Sequence, residues 1–187
     1  MNDLELSAMI GSRLCHDLVS PLGAIGNGLE LLAMTQPASP ELDMASEAVK
    51  VAQDRVRLFR LAFGKPGSDQ SVSPAELEAA LSALAANGRL TMHCALPGPM
   101  PRDRAKRLAL GALCLETAMP WGGDIAVTPD AVHGTAKRLK IDEATWGALQ
   151  SGVDALSVTP ALIHFAVLAQ TGLSEVTISA TSLRLNV

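Results

Sequence analysis

The chain has 187 residues and a formal net charge of −4 at pH 7, and 48% of its residues are hydrophobic although only 3% are aromatic. This length suits one substantial domain, or a small helical module followed by a compact second domain. A core built mainly from aliphatic side chains suits packed helices better than a β-sandwich, and an acidic balance without a long basic run argues against nucleic-acid binding.

The cysteines and the N-terminal residues indicate the cellular compartment of the protein. Cys15, Cys94 and Cys114 are scattered and form no Cys-x-x-Cys pair, so we predict reduced thiols and neither a disulfide framework nor a zinc site. Asp3 and Glu5 stand where a signal peptide needs positive charge, and no stretch of about twenty uninterrupted apolar residues is present. We therefore predict a cytoplasmic protein with no membrane-spanning helix.

The N-terminal part predicts two long helices. Apolar residues recur at an average step of about 3.5 residues over Asp3–Thr35, and the prolines of Gln36–Pro40 end this first helix. A second helix begins near Pro40, with Ser39 as its N-cap. The apolar seams are Gly11, Leu14, Leu18, Leu22, Ile25, Leu29 and Leu32 in the first helix, and Leu42, Ala45, Val49, Ala52, Val56, Phe59 and Phe63 in the second.

Two long helices with a short joint predict an antiparallel hairpin. A hairpin alone cannot cover both of its apolar faces, so we predict a homodimer in which two hairpins form a four-helix bundle. We assign residues 1–64 to this dimerisation domain and residues 65–187 to a second domain, with the linker Gly64–Asp69 between them.

The second domain alternates helical and strand patterns. Ser73 is an N-cap followed by proline, and it opens the first helix of this part. The predicted helices cover residues 73–88, 103–119 and 159–172, and the predicted strands cover 90–96, 124–128, 135–141, 175–179 and 182–187. Helices that cover one sheet predict a small α/β sandwich, so the fold class of the whole chain is α+β.

One histidine of the first helix points away from the apolar seam. Leu14 and Leu18 lie two positions on either side of His16, which places each about 160–200° around the helix from it. Asp17 can hydrogen-bond one ring nitrogen, fix the tautomer and make the other nitrogen a better nucleophile. Pro21 removes the backbone hydrogen bond to the Asp17 carbonyl, so we expect a bend there. An ordinary surface histidine and a tolerated kink are the alternatives.

These residues resemble a known motif. The string from His16 to Leu22, His-Asp-Leu-Val-Ser-Pro-Leu, resembles the H-box of histidine kinases, in which a phosphoacceptor histidine precedes an acidic residue and a Pro-Leu pair closes the motif. The longer string from Leu14 to Leu32 resembles the ChpT family of bacterial histidine phosphotransferases. The resemblance implies a dimeric four-helix bundle followed by a degenerate copy of the histidine-kinase ATP-binding domain.

The second domain distinguishes a kinase from a phosphate relay. A kinase of this type carries an asparagine-rich helix that helps to hold magnesium, and glycine-rich loops that admit the nucleotide. The helix Ala105–Met119 has no asparagine, Glu116 is a lone and weak candidate, and Gly122–Gly123 is a weak signal by itself. We therefore predict a phosphotransferase that neither uses nor hydrolyses ATP and has no cofactor-binding residues of its own.

The predicted function is histidine phosphotransfer in a bacterial phosphorelay. His16 accepts a phosphoryl group from a receiver-domain aspartate and passes it to response-regulator aspartates, while Asp17 orients or activates the imidazole. The receiver supplies Mg²⁺. Arg13 and Ser20 are predicted to contact the docked receiver, with Asn27 at the docking edge, although each is also consistent with an ordinary surface residue. By resemblance, the donor is a hybrid histidine kinase and the acceptors are response regulators of the CtrA and CpdR type.

Other functions remain open. One alternative is a non-catalytic dimeric adaptor that binds receiver domains. Such an adaptor would be expected to lose the histidine motif before other features, whereas the His-Asp-x-x-x-Pro-Leu string is intact. A divergent ATP-dependent histidine kinase is the second alternative. A metal hydrolase is least favoured, and no metal site is predicted, because the four histidines lack ligand spacing: His16, His93, His133 and His164.

Overall fold

The computed structural model describes residues 3–65, 70–151, 159–173 and 175–187. The chain divides into two compact units, Met1–Lys65 and Pro66–Val187. This boundary lies one residue from the one assigned above. Residues 66–69 of the predicted linker are outside the described residues.

The first unit is a hairpin of two helices, α1 (Asp3–Thr35) and α2 (Pro40–Phe63). The Ser39 hydroxyl accepts a hydrogen bond from the Leu42 amide at 3.2 Å and so caps the start of α2. Both predicted helices and the predicted cap are confirmed. α1 continues through Pro21.

The hairpin is antiparallel because the start of α1 contacts the end of α2. A Cβ placed on Gly11 would lie 3.3 Å from the Phe63 carbonyl oxygen. Farther along, the Gln53 amide donates to the Leu22 carbonyl at 3.0 Å. A Cβ on Gly26 would lie 2.8 Å from that Gln53 nitrogen. The glycine therefore leaves room for the Gln53 side chain to reach α1.

The apolar residues of α1 divide between two faces, and the prediction of a single seam is wrong in this respect. Cys15 lies on the face toward α2 and is only 7% exposed. Leu14 precedes it by about 100° around the helix. An average spacing of 3.5 residues does not distinguish these two neighbouring faces of the helix, so the predicted seam combined residues of both. Four large side chains of the predicted seam are exposed: Leu14 at 60%, Leu18 at 50%, Ile25 at 51% and Leu32 at 47%.

Part of α1 also meets the length and composition of a membrane-spanning helix. This segment is Leu6–Thr35, and it contains Arg13, Asp17 and Glu30. The core helices of soluble proteins and N-terminal signal sequences meet the same criteria. The absence of a membrane-spanning helix therefore stays a prediction.

The strands of the second unit are β1 (Ser71–Val72), β2 (Leu90–Cys94), β3 (Met100–Pro101), β4 (Gly123–Thr128), β5 (Ala131–Thr135), β6 (Glu175–Ile178) and β7 (Ser182–Asn186). Five of them form a mixed sheet with the strand order β2-β4-β5-β7-β6. β2 and β4 are parallel, and the other neighbouring pairs are antiparallel. β1 and β3 form a separate antiparallel pair.

Helices cover this sheet, and one of them is central. Its residues Leu108, Leu110 and Leu115 are fully buried, and it packs on β4, β5 and two other helices. The α+β class and the α/β second domain are thereby confirmed. The helices are α3 (Pro74–Leu81), the central α4 (Arg102–Ala118), α5 (Glu143–Ser151) and α6 (Ile163–Gln170), with 3₁₀ turns at Ser82–Leu84 and Pro160–Leu162.

One local prediction for this unit is wrong, and one helix was not predicted. The strand predicted at 135–141 instead begins at Ala131, because Pro129 and Asp130 form a two-residue turn that pairs Thr128 with Ala131. The helix α5 was not predicted. Its signal is Asp142, whose carboxylate accepts a hydrogen bond from the Thr145 amide at 2.9 Å.

The glycine pair after α4 forms the turn into β4. Gly122 and Gly123 have φ values of +95° and +151°. A Cβ on Gly122 would overlap the Arg89 carbonyl oxygen, and one on Gly123 would overlap the Thr135 carbonyl oxygen. Both positions therefore require glycine for the backbone path itself.

One histidine of the second unit is buried. His164 is 8% exposed, and its Nε2 lies 3.0 Å from the Thr117 hydroxyl. Burial lowers the pKa of His164 from 6.5 to about 4, although Glu116 acts in the opposite direction.

Lowering the pH from 6.5 to 4.5 is therefore expected to reduce the free energy of unfolding by roughly 2–3 kcal/mol, because the unfolded chain then binds a proton that folded His164 excludes. Urea unfolding across this range measures the slope. His164→Gln should flatten it. An identical slope in the wild type and in this variant would contradict the assignment to His164.

Candidate functional site

The imidazole of His16 stands on the surface of α1. Its side chain is 81% exposed, and its Nδ1 lies 3.2 Å from Oδ1 of Asp17. The hydrogen bond with His16 is the largest cause of the lowered pKa of the Asp17 carboxyl, and Arg13 adds to it. Because an ionised carboxylate can only accept hydrogen bonds, Nδ1 must carry the proton.

The other ring nitrogen carries the lone pair in this arrangement. With the proton on Nδ1, the lone pair of the neutral ring is on Nε2. No hydrogen bond from the described residues engages His16 Nε2. The hydrogen bond between His16 and Asp17 is present as predicted, whereas the phosphoacceptor role of His16 stays a prediction.

Arg13 is not a free surface group. Its Nε donates to Oδ2 of Asp17 at 2.8 Å, and the two side chains are 74% and 48% exposed. The structure thus brings three of the five predicted site residues, Arg13, His16 and Asp17, into one hydrogen-bonded cluster.

Ser20 and Asn27 are exposed and stand apart from this cluster. Ser20 lies about 6 Å beyond His16 along the helix axis, and Asn27 about 16 Å beyond it. Asn27 lines a different surface depression, shared with Lys50 of α2. Their role in receiver docking stays a prediction.

A groove that the sequence did not predict lies beside the histidine face. The groove has a volume of about 210 Å³. Gly23, on its α1 side, lies two turns beyond His16 and nearly in line with it. Apart from the adjoining part of α1, no atom of the described residues lies within 4 Å of a Cβ placed on Gly23, so the groove is open there. Its lining residues are Val19, Leu22 and Gly23 from α1, and Gln53, Val56, Arg57 and Arg60 from α2.

The sequence only weakly indicates the α2 residues of this groove. Arg57 and Arg60 fall off the apolar seam of α2, and Arg57 is held by Asp54 through an Nη1–Oδ1 contact of 2.6 Å. An off-seam arginine is ordinarily a solvated surface residue. Only the folded hairpin places these arginines beside an apolar opening on the histidine face.

The cysteines do not compete with His16 as nucleophiles. All three are free thiols. Burial raises the pKa of Cys15 and Cys114, and Arg60 slightly opposes this at Cys15. Burial, helped by Glu78, raises the pKa of Cys94 to about 11. These thiols therefore stay protonated near neutral pH, where a thiol is a poor nucleophile.

In the part of the chain that the structure describes, no three His, Cys, Asp or Glu side chains group as metal ligands. His93 Nε2 and Asp124 Oδ1 approach to 3.7 Å on neighbouring strands, without a third ligand. The predictions of no metal and no cofactor stay predictions.

Comparison with known proteins supplies the family. Residues 74–174 match the family described as the histidine phosphotransferase C-terminal domain. This match covers more than half of the chain, and the chain therefore belongs to that family.

Individual relatives agree with this assignment. The protein phosphotransferase ChpT of Brucella abortus (strain 2308) is 40% identical over 68 residues, which are 36% of this chain and 32% of that protein. The alignment thus spans about a third of the relative's length. Together with the family match, this similarity confirms the ChpT-type resemblance of the sequence.

Two solved structures match this chain. A bacterial phosphotransferase matches with a TM-score of 0.65 at 21% identity, over 99% of this chain and 96% of that one. A histidine kinase domain from the Erythrobacter litoralis EL346 blue-light activated histidine kinase matches with a TM-score of 0.47 at 13% identity, over 89% and 93% of the two chains. The first match shows a shared fold, and the second is too distant to carry an argument.

Proposed function

We propose that this chain is a histidine phosphotransferase of a bacterial phosphorelay, which accepts a phosphoryl group from a receiver-domain aspartate on Nε2 of His16 and passes it to the aspartate of a response regulator. The observation that carries the proposal is the pairing of His16 Nδ1 with Asp17 Oδ1 at 3.2 Å on an 81% exposed side chain. This pairing leaves Nε2 open to a partner.

The chemistry needs few groups from this chain. Nε2 of His16 attacks phosphorus, an N–P bond forms, and the P–O bond to the receiver aspartate breaks with release of its carboxylate. The ring becomes positively charged while Nδ1 keeps its proton, and the Asp17 carboxylate beside it stabilises that charge. The reverse sequence of bond changes delivers the phosphoryl group to the second aspartate. The receiver domain, rather than this chain, supplies Mg²⁺.

The groove beside His16 supports docking of a receiver domain. Its floor is apolar at Val19, Leu22 and Val56, and its α2 rim carries Arg57 and Arg60. A partner helix with a small apolar ridge and an acidic flank complements such a surface. Hybrid histidine kinases and response regulators contribute the receivers, by the resemblance of the sequence.

Helix α4 supports a function without ATP. In the kinases that the sequence resembles, the equivalent helix holds magnesium, but here α4 packs directly on α6. The Thr117 hydroxyl lies 3.0 Å from His164 Nε2, and Arg107 Nη1 donates to the Thr171 carbonyl at 3.3 Å. Other residues of this chain therefore occupy the face of α4 that points toward α6.

The exposed apolar stripe of α1 supports a homodimer. Leu14, Leu18, Ile25 and Leu32 recur on one side of the helix over about 27 Å. A stripe with this period is the usual contact of a helical bundle, so its occupant is a second copy of the hairpin. A cytoplasmic location follows if that copy, and not a membrane, covers the stripe.

A phosphotransfer assay with the full chain tests the function. A receiver domain carrying radiolabelled aspartyl phosphate is mixed with the protein, and a parallel sample receives labelled ATP and Mg²⁺ instead. We expect the receiver to give acid-labile, base-stable label at Nε2 of His16, and ATP to give none.

The two alternatives give different results in the same assay. Strong labelling of His16 from ATP would overturn the proposal in favour of a kinase. Receiver binding without any label on the chain would overturn it in favour of an adaptor.

A further inference from the structure

We propose that Arg13 is a positioning residue for phosphotransfer, which holds the Asp17 carboxylate in the orientation that fixes the His16 imidazole. This inference rests on the proposed function and assigns Arg13 a role other than the receiver contact predicted from the sequence.

The contact between His16 and Asp17 is not a consequence of helix geometry alone. Consecutive residues on a helix diverge by about 100° and do not face each other. The Asp17 carboxylate must therefore lean back toward His16 to bring Oδ1 to 3.2 Å from Nδ1.

Arg13 is placed to impose this lean. It lies one turn before Asp17, at an angle about 60° from His16 and 40° from Asp17, so it stands between the two around the helix. Its Nε binds Oδ2 at 2.8 Å while Oδ1 faces His16. Each carboxylate oxygen thus has one partner, and the carboxylate plane is fixed at both ends.

Asp17 has no other restraint among the described residues. Its hydrogen bonds and ion pairs there are those with Arg13 and His16. Without Arg13 the carboxylate is free to rotate into solvent, because the side chain is 48% exposed.

A contribution of Arg13 to helix stability does not account for the pair. A basic residue four positions before an acidic one is the less favourable order on a helix. Both side chains are also largely exposed, where such pairs add little. We therefore expect the main effect of the contact between Arg13 and Asp17 to be on the orientation of His16, which Asp17 contacts.

Two matched substitutions separate positioning from docking. Arg13→Met keeps the aliphatic stem and removes the donor. Arg13→Gln removes the charge but keeps an N–H that can reach an aspartate four residues later. Asp17→Asn serves as the limiting case. All are made in the full chain.

Two measurements are combined. Nitrogen-15 NMR of the unphosphorylated protein reports which His16 nitrogen carries the proton, and it needs no partner. Initial rates of transfer over a range of phosphorylated receiver concentrations separate the saturating rate from the half-saturating concentration.

For Arg13→Met we expect a shift of the His16 signals toward a mixture of tautomers, a saturating rate about 2- to 5-fold lower, and an unchanged half-saturating concentration. Arg13→Gln should restore most of both the rate and the tautomer. Asp17→Asn should have the largest effect of the three.

Two outcomes would overturn the inference. One is a raised half-saturating concentration with a normal saturating rate in Arg13→Met, which would make Arg13 a receiver contact. The other is a wild-type tautomer and rate in that variant. If the wild-type chain accepts no label at all, the proposed function fails, and the NMR measurement still decides whether Arg13 positions Asp17.

Discussion

Replacing His16 with alanine is expected to abolish phosphoryl acceptance, lowering transfer from a phosphorylated receiver by at least about a thousandfold. The reason is that, in the proposed mechanism, Nε2 forms the covalent intermediate, and the three thiols, whose pKa values burial raises, offer no substitute nucleophile. The fold should be unaffected because the imidazole is 81% exposed, and its hydrogen bond among the described residues is with the exposed Asp17. Transfer rates measured beside circular dichroism and thermal unfolding check both expectations.

The chain contains a matched control for this substitution. His93 is also an exposed histidine beside a carboxylate, with its Nε2 3.7 Å from Asp124 Oδ1 and a side chain that is 63% exposed. His93→Ala should transfer at the wild-type rate. Equal loss in the two variants, or residual label in His16→Ala equal to wild type, would remove His16 from the reaction.

The sequence predicted the hairpin well because strong local signals agreed. The apolar period, the two prolines after Thr35 and the Ser39 cap all marked the same boundaries, and the structure gives α1 and α2 those bounds. The outward direction of His16 also followed from angles around a helix. Such features depend on residues close in sequence, which a pattern can register.

Features that depend on packing between distant residues or on side-chain orientation were not predicted. The division of the α1 seam into a face toward α2 and an exposed stripe is one example, since Cys15 and Leu14 are both apolar and only the folded hairpin separates them. The groove at Gly23 and Val56 is another, because it forms between helices. The pairing of Arg13 with Asp17 depends on side-chain orientation, which the spacing permits but does not require.

The strand error has a comparable origin. Apolar and polar residues do not alternate clearly over Val132, His133 and Gly134. The sequence pattern therefore placed the start of the strand at residue 135. In the structure Val132 and Ala131 are buried, and the register follows from the tight turn after Thr128 and from pairing with β7. Turn geometry and strand partners, rather than local composition, decide where β5 lies.

Charged substitutions in the exposed stripe of α1 are expected to dissociate the proposed homodimer. In the variant Leu18→Glu/Ile25→Glu, a two-fold interface would have to bury four carboxylates without partners. Removing a charge from water costs several kcal/mol, so the dissociation constant should rise roughly a thousandfold or more. Sedimentation velocity over a range of protein concentrations measures this change.

The control variant is Met34→Glu. Met34 is 82% exposed and lies about 160–180° around the helix from Leu18 and Ile25, so the same charge there should leave the dimer intact. A monomeric wild-type chain at all concentrations would contradict the dimer. If that chain also sedimented with lipid vesicles, a membrane rather than a second copy would cover the stripe.

The position of the stripe links this interface to the reaction. Leu14, Leu18 and Ile25 lie about 160–200° around α1 from His16. Covering the stripe with a second hairpin therefore leaves the imidazoles of both protomers exposed. Because the interface and the reactive face occupy opposite sides of one helix, the glutamate variant should still carry its Arg13–Asp17–His16 cluster. Transfer to that monomer, measured in the same assay, tells whether phosphoryl acceptance needs the dimer or only the hairpin.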